Sequence, residues 1–245
     1  MRGRRTPQTF DDRRTPQTFD ESDNGKPVDA RPEIEIIEWD AAPQGSQEWF
    51  DLRLGIPTAS NFHIVLAQGV DGGESVQRPK YMRSLAGEIL TGRPAEGKIV
   101  TAAMQRGKTM EDEAFEHYAT RTFSPMRRIS FIRRKLPTGR WVGSSPDGLV
   151  DKDKALEIKT MQPDLIIERL ERGAGMPSEH RAQVQGTMWV GDLVAVDVML
   201  FYTGFPITPR FTVRRDETYI RTLSNAVEVF DFELHQLVEK IRRMG

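Results

Sequence analysis

The chain has 245 residues, no cysteine, and 35 Lys+Arg against 36 Asp+Glu, a formal net charge of −1. Lack of cysteine excludes disulfides, thiolate zinc sites and iron–sulfur clusters. The charge balance excludes a basic footprint over the whole surface, so a nucleic-acid face requires basic groups segregated from acidic ones.

Residues 4–11 are repeated as residues 13–20, and the polar stretch 21–31 follows. Two copies are too few for a solenoid, and this composition cannot bury a core, so residues 1–40 are expected to be a flexible tail and 41–245 a single domain. Ser46–Leu54 predicts a short helix closed by Gly55. Thr58 can cap a second helix reaching Gln68. Gly69–Ser75 reads as a glycine-rich loop, Arg78–Leu90 as a helix, and Val100–Thr120 as a longer helix. Strands are expected at Met126–Arg134, Arg140–Ser144, Leu149–Asp151 and Ala155–Thr160. Helices at Leu165–Arg172 and Ser178–Val190 precede strands at Val194–Tyr202 and Arg210–Arg215. Asp216 can cap a last helix whose apolar stripe is Ile220, Leu223, Val227, Phe230, Leu234, Leu237 and Ile241. The order of elements predicts a mixed α/β chain. No apolar run approaches the roughly 18 residues of a membrane span, and the N-terminus lacks a signal-peptide core, which predicts a soluble cytoplasmic protein.

The densest chemistry lies between Ser145 and Lys159. Ser145-Pro146-Asp147-Gly148 reads as a turn, and Leu156-Glu157-Ile158-Lys159 as a strand. On a strand Glu157 and Lys159 share one side while Leu156 and Ile158 share the other. A bend at Pro146–Gly148 can return the Asp147 carboxylate toward Glu157. Two carboxylates supply hard oxygen ligands for Mg²⁺, which polarises a phosphate and acidifies a bound water. The lysine orients or deprotonates that water and offsets charge growing on the phosphate. The plainer alternative is a common Asp-Gly turn followed by a solvated Glu–Lys pair. Arg127, Arg128, Arg133, Arg134, Lys135 and Arg140 form the densest basic run, which reads either as phosphate contacts or as a charged hairpin surface.

Four motifs occur in order: Trp49-x-x-x-Arg53-Leu54-Gly55-Ile56-x-Thr58-Ala59-Ser60, Gly107-Lys108-x-x-Glu111, Ser-Pro-Asp-Gly with Glu-Ile-Lys, and Gln183-Val184-Gln185-x-x-Met188-Trp189. From about Gln44 onward the chain resembles the phage lambda exonuclease family of viral recombination, within the PD-(D/E)xK nuclease superfamily. The resemblance implies a restriction-endonuclease-like core with a mixed central β-sheet flanked by helices. It implies a Mg²⁺-dependent (Mn²⁺ as substitute) 5′→3′ exonuclease that digests one strand of linear double-stranded DNA. Mononucleotides are released and 3′ single-stranded overhangs remain.

By the same resemblance Asp147, Glu157, Glu111 and the main-chain carbonyl of Ile158 ligate metal. Lys159 positions the nucleophilic water and Gln183 assists near the attacked phosphate. Arg53, Thr58, Ser60 and Ser145 hold the terminal 5′-phosphate, and Met104 is a wedge that unstacks the end base pair. A ring-shaped homotrimer threaded by DNA and a single-strand annealing protein as partner are also implied. The chain departs from the family in having no Lys or Arg from Thr160 to Ile167, a gap that Arg169 or Arg172 can fill. An endonuclease on the same fold is the rival activity, and a non-catalytic DNA-binding module is the rival class.

Overall fold

The Glu-Ile-Lys strand lies at the centre of a five-stranded sheet. The computed structural model describes residues 32–68, 75–95 and 102–245, the side chains of 102–109 excepted. The repeat-bearing segment 1–31, most of the glycine-rich loop and the side chain of Met104 lie outside the described residues. The strands are β1 (Ile34–Glu38), β2 (Met126–Arg127), β3 (Ile129–Lys135), β4 (Trp141–Ser144), β5 (Gly148–Val150), β6 (Lys154–Thr160), β7 (Ala195–Phe201) and β8 (Arg210–Arg214). The helices are α1 (Gln47–Leu52), α2 (Phe62–Leu66), α3 (Gln77–Thr91), α4 (Ala102–Thr122), α5 (Pro163–Glu171), α6 (Arg181–Gly191) and α7 (Glu217–Arg242).

The larger sheet has the order β2-β5-β6-β7-β8. β6 and β7 are parallel and the other pairs antiparallel. Parallel neighbours need a crossover, which α5 and α6 supply. β7 is buried along its whole length, as a central strand covered on both faces must be. Alternation along β6 sorts its side chains. Leu156 and Ile158 pack with Ala114, Phe115 and Tyr118 of α4. Ala155 faces the other cluster, with α6, α7 and the smaller sheet. This is the mixed sheet flanked by helices that the family resemblance implies.

The smaller sheet, β1-β3-β4, corrects two expectations. Ile34–Glu38 falls inside the expected tail but pairs antiparallel with β3, Ile36 opposite Ile132, so the compact unit takes in residues before 41. The single strand expected at Met126–Arg134 breaks at Arg128. Met126–Arg127 joins β5 in the large sheet, and Ile129 onward joins β1 and β4 in the small one. Arg128 marks the exchange. It pairs with Asp112 at 2.7 Å and its guanidinium lies 4.3 Å from the Phe115 ring centroid.

The last helix follows its predicted stripe for most of its length. Asp216 caps it by accepting from Tyr219 N, and Ile220, Leu223, Val227, Phe230 and Leu234 are buried. Further on, Val238 is buried, Leu237 is half-buried and Ile241 is exposed. Thr58 does not cap through its side chain; a 3-10 turn at Ala59–Asn61 leads into α2 instead. Among the described residues no helix is long and apolar enough to cross a membrane.

Candidate active site

The loop between β4 and β5 presents Asp147 to the edge of β6. Asp147 N donates to Leu156 O at 3.0 Å, and its Oδ2 accepts from Ile158 N at 2.5 Å. A strand residue's N–H and C=O point the same way in the sheet plane. The Ile158 carbonyl therefore faces the Asp147 side rather than β7. On the α6 side of β6, Lys159 Nζ donates to Glu157 Oε1 at 2.8 Å and to Gln183 Oε1 at 3.0 Å, while Gln183 Nε2 donates to Glu157 Oε1 at 2.5 Å. Gln185, two residues on, serves elsewhere: it bonds Arg214 O and Asp216 N at the β8–α7 junction.

Electrostatics tie the acids together. Burial raises Asp147 well above the usual carboxylate value, and the Glu157 charge adds to this against the Ile158 hydrogen bond. Glu111 is raised by burial and then by Glu157. Burial pulls Lys159 down, but the charge and hydrogen bond of Glu157, with Asp147 and Glu111, outweigh it and hold the ammonium above its ordinary value. Lys159 is therefore a cationic donor here, which favours orienting water and offsetting charge over taking a proton.

Among the described residues no group of three or more His, Asp or Glu side chains is drawn together as a ready metal cage. Asp147 and Glu157 are each engaged by donors of the chain itself. The donor set nonetheless fits a hard divalent cation: it offers oxygen atoms only, and like charges that such an ion neutralises. The linkage has a definite sign. A carboxyl whose folded pKa is raised adds stability that is present at acid pH and lost as pH rises through the elevated value. In chelator the protein is expected to lose this contribution between acid and neutral pH, and a divalent cation should restore it only where Asp147 is ionised. Thermal midpoints with and without Mg²⁺ should thus diverge more at pH 8 than at pH 5. Equal shifts at both pH values would disconnect Asp147 from cation binding.

A second cluster adjoins the first. Arg53 Nη1 donates to Ser145 Oγ at 2.8 Å, and Nη2 lies 3.5 Å from Thr58 Oγ1, which is 3.3 Å from Ser60 Oγ. The guanidinium sits 4.2 Å from the Trp49 ring centroid and 5.6 Å from that of Phe131. Burial lowers Arg53 to about 10, which leaves it charged at neutral pH. A surface pair of Arg53 with the nearby Asp51 or Glu48 does not form; Asp51 accepts from Gln47 instead. Among the described residues no carboxylate lies within ion-pair distance of Arg53. Gly143 forms the floor: its N donates to Pro57 O at 3.0 Å, and a Cβ there would lie 1.9 Å from Phe131 Cζ.

Three supports of this cluster have no role in the sequence reading. Trp49 Nε1 donates to Ser145 Oγ at 3.1 Å and Ser130 O at 3.2 Å. The Tyr81 hydroxyl accepts from Thr58 N at 3.2 Å. Gln44 Nε2 holds the site loop through Pro146 O at 3.0 Å. Only Trp49 left a signal, since it is one helical turn from Arg53. The basic run is neutralised in place: Arg127, Arg128, Arg133, Arg134, Lys135 and Arg140 each pair with an acid. Arg172 pairs with Glu168, and Arg169 donates to Gly175 O.

A mixed sheet with two acids and a lysine at the end of its central strands defines the PD-(D/E)xK type of nuclease fold. Within that class the chain belongs to the YqaJ-like viral recombinase domain family, whose pattern matches residues 48–203. It is similar to the alkaline exonuclease LHK-Exo of Laribacter hongkongensis, at 29% identity and TM-score 0.69 over 80% of this chain and 96% of that one. The complex of LHK-Exo with dAMP matches equally, at 30% identity and TM-score 0.69 over the same 80% and 96%. A phage-related exonuclease of Haemophilus somnus 129PT shares the fold, at 16% identity and TM-score 0.55 over 78% of this chain and 99% of that one. No curated protein sequence matches. This kinship supports a nuclease function of the viral recombination type, in a family of metal-dependent enzymes.

Proposed function

We propose that the protein is a Mg²⁺-dependent 5′→3′ exonuclease acting on linear double-stranded DNA with 5′-phosphorylated ends. It releases mononucleotides and leaves 3′ overhangs suited to strand annealing. The observation that carries this reading is the Arg53 guanidinium, in ion-pair contact with no acid among the described residues and held by Ser145, which lies two residues before Asp147. A partly buried cation supplied with hydroxyl neighbours, and with Glu88 acting on it only from beyond ion-pair distance, suits a phosphate. Two residues of chain span at most about 7 Å, the scale of one nucleotide. An end phosphate seated at Arg53, Thr58, Ser60 and Ser145 would therefore place the next phosphodiester at Asp147, Glu157 and Lys159.

Asp147, Glu157, Glu111 and the Ile158 carbonyl would hold the metal, which supplies Lewis acidity and a more acidic bound water. Lys159 donates to the attacking oxygen's surroundings, and Gln183 fixes Lys159 and Glu157 relative to one another. Met104 as a strand wedge, a homotrimeric ring and an annealing partner belong to the same proposal and rest on the family resemblance.

Arg53→Ala is expected to reduce digestion of 5′-phosphorylated duplex by about 10–100-fold, the loss of one charge-assisted contact of 1.5–3 kcal/mol. Digestion of 5′-hydroxyl duplex should change little. Rates on the two ends, measured side by side, check this; equal losses on both would remove Arg53 from end recognition. Cleavage of covalently closed circles would replace the exonuclease by the endonuclease reading.

A further inference from the structure

A hollow of about 310 Å³ lies between the C-terminal half of α4, the β7–β8 connection and the start of β8, lined by His117, Tyr118, Arg121, Met199, Thr208 and Arg210 among others. We propose that it is a second anion site, holding a phosphodiester of the DNA substrate away from the catalytic centre. Its side chains are rich in donors and poor in free acceptors. Arg121 and Arg210 are exposed, and among the described residues no carboxylate lies within ion-pair distance of either. The arginines of the basic run, by contrast, all carry acidic partners.

The nearby acids are occupied. Asp197 accepts from the Tyr118 hydroxyl and from Thr212 Oγ1, each at 2.5 Å, and Glu113, one turn before His117, accepts from Thr203 Oγ1 at 2.7 Å. These bonds also fix the floor: Tyr118 is locked to β7, and Arg210 lies 5.6 Å from its ring centroid. Two guanidinium groups and an imidazole around a fixed floor suit a phosphate oxygen. A lone carboxylate would leave much of the volume empty, while Met199 and Pro206 offer apolar walls for a sugar or base.

Position favours nucleic acid over an acidic protein. Met199 lies beside Ile158 in register. Tyr118 follows Glu111 by seven residues on α4, about 10 Å along the axis. A duplex held with its reactive phosphate beside Glu111 covers that distance in about three base pairs, at 3.4 Å of helix axis each. The inference rests on DNA as the substrate, not on digestion polarity or end preference.

The test is binding of a fluorescent 5′-hydroxyl duplex in EDTA across a salt series, comparing the unsubstituted protein with R121Q/R210Q. Both side chains are exposed, so the fold is not at risk. The double variant should bind about 10-fold more weakly at low salt, and its slope of log affinity against log salt should be shallower by about 0.9, one phosphate contact fewer. Superimposable binding curves would overturn the site. Superimposable curves together with lost binding of poly-glutamate would reassign the pocket to an acidic protein surface. Failure of the unsubstituted protein to bind duplex at any salt would instead overturn the DNA reading of the whole protein.

Discussion

Lys159→Ala is expected to slow mononucleotide release from linear duplex by about 10³-fold, within the range for a positioned proton-transfer or charge-stabilising group. Lys159 donates to both Glu157 and Gln183, and the surrounding acids hold it as an ammonium. Removing it leaves Asp147, Glu157 and Glu111 without the cation that offsets their repulsion, and leaves the attacked phosphate without a donor. The residue lies at the partly exposed end of β6, with its neighbours Leu156 and Ile158 anchoring the strand. The fold should therefore persist, and duplex binding in EDTA should stay within a few-fold of the unsubstituted protein. Turnover on a 5′-phosphorylated substrate, with binding as control, makes the measurement. A variant that still digests within 10-fold of the original rate would deny Lys159 any place in the chemistry.

Gly143→Ala is expected to be the most damaging single methyl addition near the site. The new Cβ would meet three atoms of the Phe131 ring between 1.9 and 2.8 Å. Phe131 is fully buried, and the glycine's own N–H is bonded to Pro57 O, so neither side can withdraw easily. Overpacking of this kind costs about 3 kcal/mol or more, a fall in thermal midpoint of about 6–12 °C for a chain of this size. A functional consequence follows from the same contact. Phe131 lies under the Arg53 guanidinium, so the folded fraction should also lose discrimination between phosphorylated and hydroxyl ends. Calorimetry and the paired-end assay test the two parts. An unchanged midpoint would mean that the β3–β4 pair yields where its packing indicates it should not.

The residues legible in the sequence are those whose geometry is local. Alternation alone separates Glu157 and Lys159 from Leu156 and Ile158, and Pro-Asp-Gly announces the turn that brings Asp147 back. The final helix is legible through about four turns of periodicity, from Ile220 to Leu234, until 3.6 residues per turn moves the buried stripe from Ile241 to Val238. What was not legible depends on partners far along the chain. Nothing in Met126–Arg134 marks a break, because the exchange at Arg128 is decided by β5 on one side and by β1 and β4 on the other. Ile34–Glu38 carries no clean polar alternation, and its partner strand lies nearly a hundred residues away. Tyr81 and Gln44 support the site through long-range hydrogen bonds that no spacing rule predicts. The pairing of the basic run is likewise hidden, since its acids come from β1 and the residue before it, α4, the α6 C-terminus and α7.

The two clusters sit on different sheets. Arg53 leans on Phe131 of the small one, and Glu157 and Lys159 belong to the large one. The backbone from Ser145 to Asp147 joins them, and the exchange at Arg128 ties the same two layers again. In the proposed reaction, the length of the product is then a matter of covalent construction rather than of affinity. Salt or temperature would alter how often the enzyme cuts, and not how long a piece it removes. A residue inserted between Ser145 and Asp147 would change the stride itself.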